Sequence, residues 1–185
     1  MAIRKVARLG HPVLRQPARV LGKQELSSEP IKRLIVDMIE TMHEYGGVGL
    51  AAPQVHESVR LAVIEVDRLD ERYKTGLSQP LLVIANAQVS VLDAAVHGFW
   101  EGCLSVPGLR GYVERPRKIR VDYLDQHAQL QSLVAEDFLA TVFQHELDHL
   151  DGVLYVDKLA APARFAFVEE YQRYHLDQSS PQVDE

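Results

Sequence analysis

The sequence predicts an α+β fold. Three observations carry that reading: apolar residues at helical spacing across residues 29–45, a middle rich in Val, Ile and Leu with partial alternation, and a return to helical spacing over Asp137–Leu150. At 185 residues the chain lies within the roughly 100–200 residues usual for one domain, so one core over residues 1–185 is expected, with no linker dividing it.

The first element is an amphipathic helix built on Ile31, Leu34, Ile35, Met38, Ile39 and Met42, with Pro30 suited to its first turn. It runs into Gly46-Gly47-Val48-Gly49, where glycine can end a helix. Residues 60–66, 81–91 and 118–124 read as strands and make the middle mostly β. The next helix, Asp137–Leu150, carries Phe138, Leu139, Val142, Phe143, Leu147 and Leu150, and Gly152 is placed to stop it. A last helix is expected from Pro162, with Phe165, Phe167, Val168 and Tyr171 as apolar members and a frayed polar tail over residues 178–185.

Composition narrows the function classes. A chain that is 46% hydrophobic and 25% charged is neither collagen-like nor disordered. With 20 Lys and Arg against 26 Asp and Glu, the net charge of −6 gives no general cationic field, so no direct nucleic-acid binding is expected. No apolar run approaches the roughly 20 residues of a membrane span, and the opening residues lack the hydrophobic segment of a secretory signal. The expectation is a cytoplasmic protein without a membrane partner. Cys103 is the single cysteine, hence a small core residue, a nucleophile or a metal ligand.

The sharpest chemical signal is His145-Glu146-Leu147-Asp148-His149. Residues four apart on a helix lie one turn apart on one face, so two imidazoles can reach one ion. Glu146, beside the first histidine, is then placed to take a proton from water and pass it to a leaving group. The apolar neighbours Val142, Phe143, Leu147 and Leu150 argue against a chance pattern on an exposed helix, because buried polar groups need partners. A closed structural metal site, the non-enzymatic alternative, has no need of that base.

A catalytic metal needs a third protein ligand. A glutamate on a later helix, Glu169 or Glu170, is one option. A third histidine six residues beyond His149 is excluded, because that position is Tyr155. The other option is Cys103 in Glu101-Gly102-Cys103-Leu104-Ser105, where a thiolate suits borderline divalent ions and the glycine permits close backbone approach. Phe138 and Val142 sit on the turns preceding His145 on roughly its own face, which makes them candidates for an apolar pocket beside the metal.

The chain resembles the peptide deformylase family. Three motifs carry the resemblance: Gly47-Val48-Gly49-Leu50-Ala51-Ala52-Pro53-Gln54, Glu101-Gly102-Cys103-Leu104-Ser105, and Gln144-His145-Glu146-Leu147-Asp148-His149-Leu150-Asp151-Gly152. The opening Gly10-His11-Pro12-Val13-Leu14-Arg15 also looks like the family's start, and the likeness spans roughly residues 3–160. It implies antiparallel or mixed sheets wrapped around a metal-binding helix, and removal of the formyl group from the N-terminal formyl-methionine of new polypeptides.

By that resemblance Cys103, His145 and His149 hold one divalent ion, often Fe²⁺, with Zn²⁺, Ni²⁺ or Co²⁺ also compatible with a thiolate and two imidazoles. It makes Glu146 general base and then general acid toward metal-activated water. The side-chain amide of Gln54 and the backbone N–H of Leu104 become donors to the oxyanion, a role worth roughly 10²–10³ in rate. The backbone around Val48 and Gly49 pairs with the extended substrate. Val48 and Phe99 match pocket positions, and Gly102 and Arg110 fall beside the substrate backbone. One departure stands out: the family's Val-Pro-Arg is here Val113-Glu114-Arg115, so an Arg115 partnership with Glu101 is an expectation to test. The C-terminal segment from Ala163 has more acidic than basic residues and gives no support to ribosome docking.

Overall fold

The computed structural model describes residues 2–66 and 78–176. The predicted tail at 178–185 lies outside them. Helices α1 (Lys23–Leu26) and α2 (Glu29–Glu44) come first, followed by strands β1 (Gly49–Ala51), β2 (Leu61–Val66), β3 (Gln79–Cys103), β4 (Val106–Leu124) and β5 (Leu130–Glu136). Helix α3 (Asp137–Leu150), strand β6 (Phe165–Phe167) and helix α4 (Val168–Tyr174) complete the order. The strands pair in the order β1-β2-β3-β4-β5, all antiparallel, and β6 adds to β4. The expected α+β class and the antiparallel sheet around α3 are both present.

Strand β2 shows why the sheet sits where it does. Its residues alternate between two cores: Leu61 and Val63 pack with Met38 and Met42 of α2, while Ala62 and Ile64 pack with Phe143 and Leu147 of α3. Side chains of successive residues point to opposite faces, so a strand covered on both sides must be apolar throughout. The run Leu61-Ala62-Val63-Ile64 meets that demand, with all four fully buried. Each large side chain so buried contributes on the order of 1.5–3 kcal/mol. Helix α3 is thereby fixed against the sheet by Phe138, Val142, Phe143, Leu147 and Leu150, independently of any ligand.

Two strands are longer than their sequence signal. The stretches read at 81–91 and 118–124 extend into one hairpin of 25 and 19 residues, closed by the turn Leu104–Ser105. Register shifts near Asp93 and between Glu101 and Cys103 bend it, and such bulges commonly re-aim side chains. The stretch 91–97 is exposed, so it lacks the one-sided apolar pattern that marks a strand.

The C-terminal helix is a correction. Pro162–Arg164 form a 3-10 turn, Phe165–Phe167 form β6 against Leu109–Gly111, and the helix begins only at Val168. β5 covers β4 from Lys118 to Leu124 and leaves the edge free at Leu109–Gly111. Ladder hydrogen bonds there outweigh the weak helical preference of Phe165-Ala166-Phe167.

The end of α3 follows the sequence reading. Gly152 takes φ +74°, and a Cβ there would lie 2.8 Å from the carbonyl carbon of Arg15. The last carbonyl of α3, that of Leu150, accepts from the Ala18 N–H of that segment and from the Arg60 guanidinium.

Candidate metal centre and catalytic cleft

Cys103 ends β3, and His145 and His149 stand one turn apart on α3. The sulfur and one nitrogen of each ring lie within 4.8 Å of one another, all buried. The Sγ of Cys103 is 3.3 Å from Nε2 of His149. No helix or ladder rule draws these three donors together, and a thiolate with two imidazoles fits a tetrahedral divalent ion with one open position. Among the described residues, the other candidate ligands lie outside this group: Glu169 and Glu170 belong to α4, Glu169 exposed and Glu170 paired with Arg173.

Behind these three donors a chain of charge runs from the buried His145 out to the surface at Lys158. Nδ1 of His145 meets Oε2 of Glu101 at 2.7 Å. Arg115 donates to both oxygens of Glu101, at 2.6 and 3.0 Å, and to Asp148 at 2.7 Å. Lys158 donates to the other oxygen of Asp148 at 2.8 Å. The expected Glu101–Arg115 pair thus forms, and it leaves the ε nitrogen of His145 facing the cluster. Outer partners of this kind fix ring orientation and tautomer. Burial would raise the Glu101 carboxyl, but the hydrogen bonds from His145 and Arg115 hold it at about 2. Burial drives His149 well below the usual imidazole range, toward the neutral form that ligates metals.

Glu146 faces the cleft from the same helix. Burial pushes its carboxyl up to about 7, and its Oε2 has no hydrogen-bond partner among the described residues. Its other oxygen lies against the backbone of β1: a Cβ on Gly49 would sit 2.5 Å from Oε1. Glycine at 49 is therefore a matter of room for this carboxyl.

Gln54 is aimed by its own turn. Its Oε1 accepts from the Ala51 N–H at 2.8 Å, which turns Nε2 toward Sγ of Cys103 at 3.5 Å and Oγ of Ser105 at 3.3 Å. Leu104 begins the turn just past the cysteine, beside a Ser105 N–H that points at the sulfur from 3.4 Å. A cleft of about 900 Å³ opens here, lined among others by Val48, Gly49, Gln54, Gly102, Leu104, Arg110 and Glu146. Arg110 lies across Gly102, its guanidinium in the space that a Cβ at 102 would take. Phe99, Phe138 and Val142 lie outside that lining. The rings of Phe99 and Phe138 meet edge-on at 5.9 Å and pack with Val142 in the core under α3.

Three participants were not singled out from the sequence. Ser105 is fully buried between Gln54 and the sulfur. Asp148 relays Lys158 to Arg115, and its place inside the histidine motif was the available signal. Tyr155, 1% exposed, stacks on His145 at 6.0 Å with its hydroxyl unpartnered among the described residues.

A thiolate, two imidazoles and a buried carboxyl converging on one cleft define a metal-dependent hydrolase site. The chain belongs to the polypeptide deformylase family: residues 3–165 match the family's profile, and the family removes N-terminal formyl groups from nascent polypeptides. It is 44% identical over 170 residues to a peptide deformylase of Leptospira biflexa, covering 92% of this chain and 95% of that one. It is 45% identical over 166 residues to a Thermus thermophilus peptide deformylase, covering 86% and 84%. Among solved structures, a Synechococcus elongatus peptide deformylase in complex with actinonin is 35% identical with a TM-score of 0.78, covering 89% of this chain and 82% of that one. A Met-Ala-Ser-bound class I type b peptide deformylase from Acinetobacter baumannii is 34% identical with a TM-score of 0.81, covering 85% and 99%. No described helix is long and apolar enough to cross a membrane.

Proposed function

We propose that this chain hydrolyses the formamide of N-formyl-methionyl peptides, with Glu146 as the proton carrier. The observation that carries this reading is the buried Glu146 carboxyl, its Oε2 without a partner among the described residues, beside the Cys103, His145 and His149 donors. One divalent ion held by those three residues, Fe²⁺ by preference with Zn²⁺, Ni²⁺ or Co²⁺ as substitutes, supplies Lewis acidity and lowers the pKa of water. Glu146 accepts the proton of the attacking water and returns it to the amine nitrogen as the C–N bond breaks. A carboxyl near 7 suits both halves of that transfer, because it can hold or release the proton at neutral pH.

The oxygen of the formyl group gains negative charge as its carbon becomes tetrahedral. Nε2 of Gln54 and the N–H of Leu104 receive it, an arrangement supported by the tether between Gln54 and Ala51. Strand β1 is an edge of the sheet, so Val48 and Gly49 offer main-chain groups to an extended peptide. Gly102 and Arg110 flank the peptide on the opposite side, and Val48 forms the wall of the methionine pocket, backed by Phe99, Phe138 and Val142 in the core behind it. The reading carries a cytoplasmic location with it, where formylated chains are made. It invokes no membrane or nucleic-acid partner and no ribosome contact through the C-terminal segment.

Release of free amine and formate from a formyl-Met peptide tests it, run beside the acetylated peptide. Hydrolysis of the formyl peptide alone is expected, with turnover lost in Glu146→Ala while metal content is kept. Equal hydrolysis of the acetylated peptide, or an unaltered Glu146→Ala rate, overturns the mechanism.

A further inference from the structure

The rim of the cleft is cationic in a chain whose net charge is −6. Lys5, Arg8 and Arg110 supply its charge beside His11 and His56, and among the described residues the only carboxyl in the lining is that of Glu146, buried at the base. Elsewhere the basic side chains are mostly neutralised: Arg4, Arg15, Arg19, Arg60, Arg115 and Arg117 all pair with carboxylates. Lys5, Arg8 and Arg110 pair with no carboxylate among the described residues, and the cleft gathers all three at one rim.

The rim is also fixed in place. The segment bearing Lys5, Arg8 and His11 is tied across both motif loops, by the Ala7 N–H to the Gln54 oxygen at 2.7 Å and the Leu9 N–H to the Ser105 oxygen at 2.8 Å. His11 and His56 pack edge to face at 4.7 Å. Unneutralised cations held on a cleft wall raise the local concentration of anions and attract complementary charge. A formylated amino terminus is itself uncharged, so the anion must lie further along the peptide.

Resting on the deformylase reading above, we propose that this rim selects formyl-methionyl peptides with acidic side chains in the residues that follow methionine. Lys5 and Arg8 are its principal charges, with Arg110 nearest the ligands. The attraction precedes the chemistry and acts alike on bound substrate and transition state, so it belongs in KM rather than kcat.

The test compares formyl-Met-Ala-Glu-Glu, formyl-Met-Ala-Gln-Gln and formyl-Met-Ala-Lys-Lys with the metal-loaded full chain. An acidic-over-basic ratio in kcat/KM of about tenfold at low salt is expected, since exposed pairs are each worth only a few-fold, and it should shrink as salt rises. Lys5→Gln/Arg8→Gln should bring the ratio toward one. Arg33→Gln, an exposed arginine remote from the cleft, should leave it intact. Equal kcat/KM for the three peptides, or a ratio that survives in the double variant, overturns the inference while leaving the deformylase reading standing. Hydrolysis of none of them sinks that reading and this one with it. Loss of ribosome co-sedimentation in the double variant, with no charge preference among peptides, assigns the rim to RNA instead and also overturns it.

Discussion

Replacing Arg115 by alanine removes one side chain from behind the Cys103, His145 and His149 donors and touches none of them. Arg115 and Glu101 are 2% and 6% exposed, so solvent cannot take over the lost hydrogen bonds. Glu101 sits at about 2 against an ordinary 4.5. That difference, at 1.36 kcal/mol per pH unit, puts the stabilisation of its ionised form at about 3 kcal/mol. His145 and Arg115 share that stabilisation against the cost of burial, and breaking a buried pair from one side typically costs ~3–5 kcal/mol. The second consequence is at the ligand: Glu101 loses two of the contacts that hold it against Nδ1 of His145, and loss of such an outer partner typically costs ~10–100-fold in metal affinity. Urea unfolding of the metal-free protein reads the first effect, and competition with a chromophoric chelator reads the second. Arg115→Lys should fall between, because it keeps the charge but not the fork that spans both carboxylate oxygens. A stability change under about 1 kcal/mol with unchanged metal affinity and turnover would refute the relay from Arg115 through Glu101 to His145.

Gly49→Ala should displace the Glu146 carboxyl, lowering kcat by ~10²-fold or more while metal content measured by elemental analysis stays near one per chain; full activity in this variant would show that the close approach is not limiting. Gln54→Ala should cost ~10²–10³ in kcat with little change in KM, read from steady-state kinetics, if its amide serves the oxyanion. Removing the metal with a chelator should abolish turnover and leave far-ultraviolet circular dichroism unchanged, because α3 is anchored by Phe143, Leu147 and Leu150 rather than by the ion. In acid, the folded Glu101 carboxyl lies below its unfolded value, so its contribution is complete above about 4.5 and is lost as pH falls through about 2. Acid unfolding of the metal-free protein should therefore begin at higher pH in Arg115→Ala than in the parent, a shift visible in an equilibrium pH titration.

How much could be read from residues alone varied with the distance over which each feature is decided. The pairing of His145 with His149 is a matter of one helical turn, and it was legible. So were the apolar face of α2 and the stop at Gly152, since periodicity and chain reversal are local. The segment Phe165-Ala166-Phe167 was misread as helix because its neighbours satisfy helical spacing, while its strand state depends on a free edge at Leu109–Gly111. The exposed arm of β3 over 91–97 escaped notice for the related reason that pairing with β4 defines it, without a buried face to mark it.

The chemistry proposed for the site rests on residue types: a thiol and two imidazoles suit a borderline divalent ion, and a carboxyl suits proton transfer, wherever they converge. Convergence itself belonged to the packing. The turn at Leu104–Ser105 and the bulge before Cys103 carry the sulfur to within 3.3 Å of a ring 46 residues later. Desolvation then set Glu146 near 7 and, against two hydrogen-bonded partners, left Glu101 near 2. Helical and strand periods repeat over a few residues and can be read in a line. The dielectric around a carboxyl and the gathering of Lys5, Arg8 and Arg110 at one rim depend on which distant segments exclude water together, and the folded chain alone decides that.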